Sequence, residues 1–352
     1  MTQSISAHIS SNKSSLLRDL LKQVSRLFYT TLAVVPENVR DQVGLAYLFA
    51  RAADTIADTE LIDRSRRLSF LYRLREQFVS EHLDWEQIRL IQQAVASVQH
   101  DSAERLLLER LDECFHVFLA CSLDDRHRIR RVIITLTQGM EMDLSVFPGT
   151  APDELIALKT MDDLDRYTYS VAGCVGEFWT GLMCAHRKAL ADWDVPVMSE
   201  RGIRFGKGLQ VTNIVKDIAH DLQKGRCYIP ETMLTEVGLK PHDLLHQENL
   251  SRFRPVLSKL VRLAVAHLDQ GWAYTMAIPR HETRLRLACM WPILSAGESL
   301  KLVMNSPDLL NPTVKVKISR SKVYQIMAMT TGTVACGYAG TAYWGHLRKQ
   351  FV

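Results

Sequence analysis

Two pairs of aspartates repeat one spacing: Asp54 with Asp58, and Asp217 with Asp221. On an α-helix, residues i and i+4 stand one above the other on the same face. Two carboxylates placed so repel, at a cost of roughly 0.2–0.5 kcal/mol in an isolated helix. Taken alone, a D-x-x-x-D pair reads first as a solvated helix face. Around the second pair, Gln210 and Asn213 extend the same stripe, flanked by Val211, Ile214, Val215 and Ile218. Around the first, Tyr47 and Arg51 share the face of Asp54 and Asp58, inside the apolar run Leu45–Ala57. A carboxylate bordering the interior must be paired, metal-bound or protonated. A salt bridge capping the helix end, Asp54 with Arg51 or Asp58 with an arginine, is the plain alternative. Two such helices facing each other would offer four carboxylates to one cavity. Oxygen ligands with open positions suit Mg²⁺, which keeps waters and bridges to phosphate oxygens. Held by two acidic helices, it would turn a diphosphate into a leaving group. Arg51, Lys216 and Arg226 would bind the same phosphates directly. The carbocation left behind would need apolar and aromatic walls to exclude water and stabilise its charge.

The elements that must position these residues are helical almost throughout. Leu16, Leu17, Leu20, Leu21, Val24, Leu27 and Phe28 recur at three- and four-residue steps, after N-cap candidates Ser14 and Ser15 and up to Pro36. A second helix is expected over Glu37–Asp58, and further ones over 63–81, 84–98, 101–120, 124–145, 161–189, 199–222, 250–278, 280–305 and 319–346. Convincing alternating strands are absent, and Pro and Gly punctuate the chain. The expectation is an all-α, single-domain bundle: a flexible N-terminus over 1–13, the domain over 14–346 and a basic tail over 347–352.

Composition excludes several classes. Of 352 residues, 47% are hydrophobic and 23% charged, which is globular. The net charge of +4, from 43 basic and 39 acidic residues, has no basic arm and announces no nucleic-acid partner. Seven scattered cysteines without a C-x-x-C read as reduced thiols of a cytoplasmic protein. No secretory signal opens the sequence, and neither a P-loop nor a Rossmann G-x-G-x-x-G appears. The stretch Val323–His346 lacks any Lys, Arg, Asp or Glu. It carries many Thr and Gly, so a buried or surface-associated terminal helix is expected rather than a span.

These residues together resemble the squalene/phytoene synthase family of head-to-head isoprenoid synthases, and most of all its squalene synthases. The motifs are Ser25-Arg26-Leu27-Phe28, Arg51–Asp58, Gly139-Met140-Glu141-Met142-Asp143-Leu144, Tyr167–Gly176, Gln210–Asp221 and Gly225–Pro230. All stand in order, from Ser25 to about Tyr324.

The resemblance implies an isoprenoid-synthase fold with a central cavity. It also implies condensation of two farnesyl diphosphates to presqualene diphosphate, then NADPH-dependent rearrangement to squalene. Asp54, Asp58, Asp217 and Asp221 would hold Mg²⁺. Ser25, Arg26, Arg51, Gln210, Asn213, Lys216 and Arg226 would contact substrate, with Tyr47 in the pocket and Phe28 near the cation. The animal enzymes place a Tyr directly before Val-Ala-Gly; this chain has Ser170 there. Tyr167 is favoured over Tyr169 for that polar role. Lys216 stands where Arg is usual, exchanging a fork for a point charge. Lys315, Lys317 and Arg320 are expected at the NADPH phosphates, a solvated basic turn being the other reading. Dehydrosqualene or phytoene synthesis without reduction, and a non-catalytic family member, are the alternatives. A C30 hydrocarbon product implies transient membrane contact by an otherwise cytoplasmic enzyme.

Overall fold

A computed structural model describes residues 15–25, 28–335 and 337–351. Arg26 lies outside these residues, and so does the side chain of Phe28. The described chain packs as two compact units. One runs to Leu144 and includes Gly181–His186; the other comprises Ser145–Thr180 and the residues from Arg187 on.

The longer helices of the first unit are α1 (Glu37–Asp58), α2 (Arg64–Val79), α3 (Trp85–Ala96), α4 (Ser102–Glu109), α5 (Leu111–Leu119) and α6 (Leu123–Val146, up to Leu144). Pro36 precedes α1, where its fixed φ costs nothing, and Glu37 answers the positive end of the dipole. The core is aromatic. Phe49 of α1 meets Phe78 of α2 at 4.9 Å and Phe115 of α5 at 4.8 Å between ring centroids, and Phe78 meets Phe118 at 5.7 Å. Such pairs contribute about 0.5–1.5 kcal/mol each beyond their burial, so this cluster fixes the face that α1 turns inward. The segment expected as one helix over 101–120 is two, α4 and α5, because Arg110 leaves helical geometry at φ −108°. Apolar spacing continues across that break, so periodicity alone does not show it.

In the second unit the longer helices are α7 (Met161–Thr168), α8 (Cys174–His186, up to Thr180), α9 (Val195–Gln223), α10 (Leu250–Ala277), α11 (Thr283–Asn305), α12 (Arg320–Thr331) and α13 (Tyr338–Arg348). Helices α9 and α10 run antiparallel, Gly208 lying against Leu268 and Gly271 against Phe205. Helix α8 crosses α9 so closely that a Cβ on Gly176 would stand 1.9 Å from the Gly202 carbonyl oxygen. That approach is the physical reason for glycine at position 176, the last residue of the Tyr167–Gly176 motif.

The stretch expected as one helix over 161–189 is interrupted by a π-helical turn at Tyr169–Gly173. The terminal segment is likewise divided into helices of 12 and 11 residues, the first ending at Thr331 and the second beginning after Gly337, whose φ is +69°. Neither approaches the ~20 apolar residues that a bilayer requires. Both dock on the unit: Trp291 donates to Thr330 at 3.0 Å, and Trp344 to Asp269 at 2.9 Å. The buried Arg286 ties the carbonyls of Met276, Ile278 and Val334 at 3.0, 2.8 and 3.2 Å. By length and composition α11 alone, among the described residues, would suit a membrane, yet 72% of its apolar window is buried in the fold. The strands among the described residues are Ile156–Ala157 and Arg226–Cys227, a parallel pair too short to leave a pattern in the sequence.

Candidate functional site

Both aspartate pairs sit at the C-terminal ends of their helices: Asp54 and Asp58 close α1, and Asp217 and Asp221 lie in the last two turns of α9. The negative end of a helix dipole disfavours acids there by about 0.3–1 kcal/mol each. Each pair also repels internally. An arrangement doubly unfavourable to anions, made twice, is one that a cation relieves.

At the first pair, Arg51 is the local cation. Its Nη1 donates to Asp54 and its Nη2 to Glu104 of α4. The Asp54 carboxyl is pushed up to about 6, first by desolvation and next by Asp58, with Arg51 pulling it back down. Its side chain keeps 41% exposure and Asp58 is exposed, so both retain open coordination positions. The half-buried Tyr47 donates to the Val24 carbonyl at 3.4 Å. Ser25 is buried and turned back on its own helix, donating to Leu21 at 2.5 Å. In this conformation it therefore does not offer its hydroxyl to a ligand.

At the second pair the stripe reads as the spacing predicted. Gln210, Asn213, Lys216, Asp217 and Asp221 are half-buried or exposed, while Val211, Ile214, Val215 and Ile218 are buried. Lys216 bridges Asn213 at 3.0 Å and Asp217 at 3.2 Å. His220 is exposed. Helix α9 ends at Gln223, and the chain turns just beyond it at Gly225, whose φ of +72° suits glycine. The chain then returns through Arg226, half-buried, paired by register with Ile156.

That return carries Tyr228 onto Tyr167. The two rings stack with centroids 4.8 Å apart at 24°, and Phe147 meets Tyr228 edge-on at 5.0 Å. Two separate motifs thus build one aromatic wall, the type that stabilises cationic charge. Tyr169 instead opens the π-helical turn and donates to Glu177 at 3.1 Å. Lys315, Lys317 and Arg320 are exposed, the first two on a loop and Arg320 at the start of α12.

Among the described residues no group of three His, Cys, Asp or Glu side chains forms a ready-made metal cage. Two carboxylates with open positions still fit Mg²⁺, which is bound by one or two acids together with substrate phosphates. Sequence reasoning missed Glu104, an acid on a short amphipathic helix with no motif around it. It also gave Tyr228 no role, since stacking between residues 61 positions apart leaves no local signal.

The sequence profile of squalene/phytoene synthase matches residues 21–322. The chain belongs to that family. Among relatives, the squalene synthases of Cyberlindnera jadinii and Saccharomyces cerevisiae are each 25% identical over 85% of this chain. The chain spans 63% of the length of either. A bifunctional lycopene cyclase/phytoene synthase of Arthroderma gypseum is 27% identical over 70% of the chain and 39% of that protein. Solved family structures share the fold. A TcSQS complex with the ligand E5700 superposes with a TM-score of 0.75 at 23% identity, covering 96% of this chain and 92% of the other. A dehydrosqualene synthase complex gives 0.61 at 18% identity, covering 93% and 98%. The fold is therefore the all-α isoprenoid-synthase fold.

Proposed function

We propose that the chain is a squalene synthase, joining two farnesyl diphosphates head to head through presqualene diphosphate and then reducing the product with NADPH. The observation that carries this reading is the repeated placement of an acid pair at a helix C-terminus with a cation on the same stripe, Arg51 in one and Lys216 in the other. Asp54 and Asp58, and Asp217 and Asp221, would hold Mg²⁺. When bound, the ion neutralises diphosphate charge and makes it a better leaving group. Arg51 presents a planar fork to phosphate oxygens, Lys216 a point charge, and Arg226 a third cation. Gln210 and Asn213 would orient the substrate from the same stripe as Lys216. Tyr167 and Tyr228 would face the developing cation with their rings, and the Tyr167 hydroxyl is the proton acceptor we favour. Lys315, Lys317 and Arg320 suit the phosphates of NADPH, whose hydride would end the second half-reaction.

The deciding experiment incubates the protein with farnesyl diphosphate and Mg²⁺, with and without NADPH. Squalene is expected with NADPH and presqualene diphosphate without it; no C30 product under either condition overturns the reading. Phytoene and dehydrosqualene synthases among the similar proteins motivate a second reading, synthesis without reduction. A C30 product unchanged by NADPH, or a C40 product from geranylgeranyl diphosphate, would favour it. Because squalene is insoluble in water, the enzyme is proposed to be cytoplasmic with transient bilayer contact. Flotation with liposomes tests this, and protein remaining entirely in the bottom fraction overturns it.

A further inference from the structure

We propose that Glu104 is a positioning residue of the first acid pair, holding Arg51 so that Asp54 is free to take a divalent cation. This rests on the metal reading of Asp54 and Asp58. Arg51 is shared between two carboxylates on different helices, Asp54 on its own and Glu104 on α4. Its Nε is buried with no hydrogen-bond partner, so the guanidinium is held by its two tips alone. Glu104 is the more buried anchor, at 16% side-chain exposure against 41% for Asp54.

Glu104 is also the better fixed. It lies in the first turn of α4, where the dipole favours an acid. Its backbone N–H donates to the N-cap Asp101 at 3.1 Å, beside that of Ala103 at 2.9 Å. Leu107 and Leu108 are buried and pin the same helix to the unit.

A cation arriving at Asp54 competes with Arg51 for the same carboxylate oxygens. If Asp54 were the sole counter-ion, giving it up would strand a half-buried guanidinium without a paired charge, which is costly. Glu104 removes that cost, because Arg51 keeps a carboxylate whichever way Asp54 turns. It also keeps the guanidinium beside the pair, where a phosphate oxygen can reach it. Replacing Glu104 with Gln keeps the size and removes the charge. Arg51 would then collapse onto Asp54 and compete with the metal.

The test titrates Mg²⁺, with inorganic diphosphate present, against the thermal midpoint of wild type, Glu104→Gln, Glu104→Asp and Asp54→Asn. Kinetics with farnesyl diphosphate follow. The expected result for Glu104→Gln is a Mg²⁺ half-saturation raised about 10-fold and a raised KM, with metal-free stability near wild type and kcat within about threefold. Glu104→Asp, which keeps the charge, should recover part of the Mg²⁺ affinity and stands in should Glu104→Gln not fold. A lowered thermal midpoint with unchanged Mg²⁺ half-saturation in both variants makes Glu104 merely structural and overturns the proposal. Asp54→Asn separates the two ideas. If it leaves Mg²⁺ half-saturation untouched, the metal reading of the first pair fails as well.

Discussion

The two aspartate pairs share a spacing and a place at a helix C-terminus, yet their surroundings differ. The first is locked: Arg51 is clamped between Asp54 and Glu104, and desolvation holds the Asp54 carboxyl up at about 6. The second is open: Asp217 is exposed, and its cation is Lys216, a flexible ammonium shared with Asn213. An identical motif therefore yields two different electrostatic sites. A preorganised fork loses little on binding a phosphate, whereas a lysine must be ordered at that moment. We read the first pair as the tighter grip and the second as the more adaptable one.

The largest effect tests what the pairs share. Asp54→Asn and Asp217→Asn should each lower kcat/KM at least about 1,000-fold, about 4 kcal/mol of transition-state stabilisation, while circular dichroism stays native. Retained turnover in either would break the equivalence.

The next effect tests what separates them. Arg51→Lys should cost about 100-fold in kcat/KM, because one ammonium cannot span Asp54 and Glu104 as the fork does. A loss below about threefold would show that the fork contributes nothing special.

A third experiment concerns the helix carrying the second pair. Arg204 of α9 donates its Nε to Nδ1 of His267 on α10 at 3.3 Å, a bond that needs the ring neutral. Burial first, then Arg204 and Lys207, lowers His267 from its ordinary 6.5 to about 4. As pH falls, the unfolded chain takes up this proton before the folded one. The contribution is thus intact above about pH 7 and is lost as pH drops from 6.5 toward 4. The loss should be about 2 kcal/mol at pH 5. Urea midpoints at pH 7 and 5 measure it, and His267→Gln should flatten the difference. An equal decline in that variant would move the cause elsewhere.

The smallest effect is Lys216→Arg, which should change kcat/KM by less than about threefold, since the open stripe already tolerates a point charge. A large gain would mean that the second site is limited by its missing fork.

Much of this was legible in the residues. The helical period, the stripe on α9 and the Arg51–Asp58 face follow from 3.6-residue geometry acting on apolar and polar types, and the structure keeps them. The breaks were not legible. Arg110 and the π-helical turn at Tyr169 interrupt stretches whose apolar spacing runs on unchanged. The π-helical turn matters most, because reasoning from an uninterrupted α-helix misplaces Tyr169 and Ser170 relative to Tyr167.

The sequence by itself determined the helical class, the two acid pairs and the cations beside them, because each is a short-range pattern written into one helix. Tertiary structure alone decided that Glu104 shares Arg51 with Asp54 and that Tyr228 stacks on Tyr167. Those pairings join separate elements. Helical periodicity says which face a residue occupies, but not which side chain from elsewhere will meet it there.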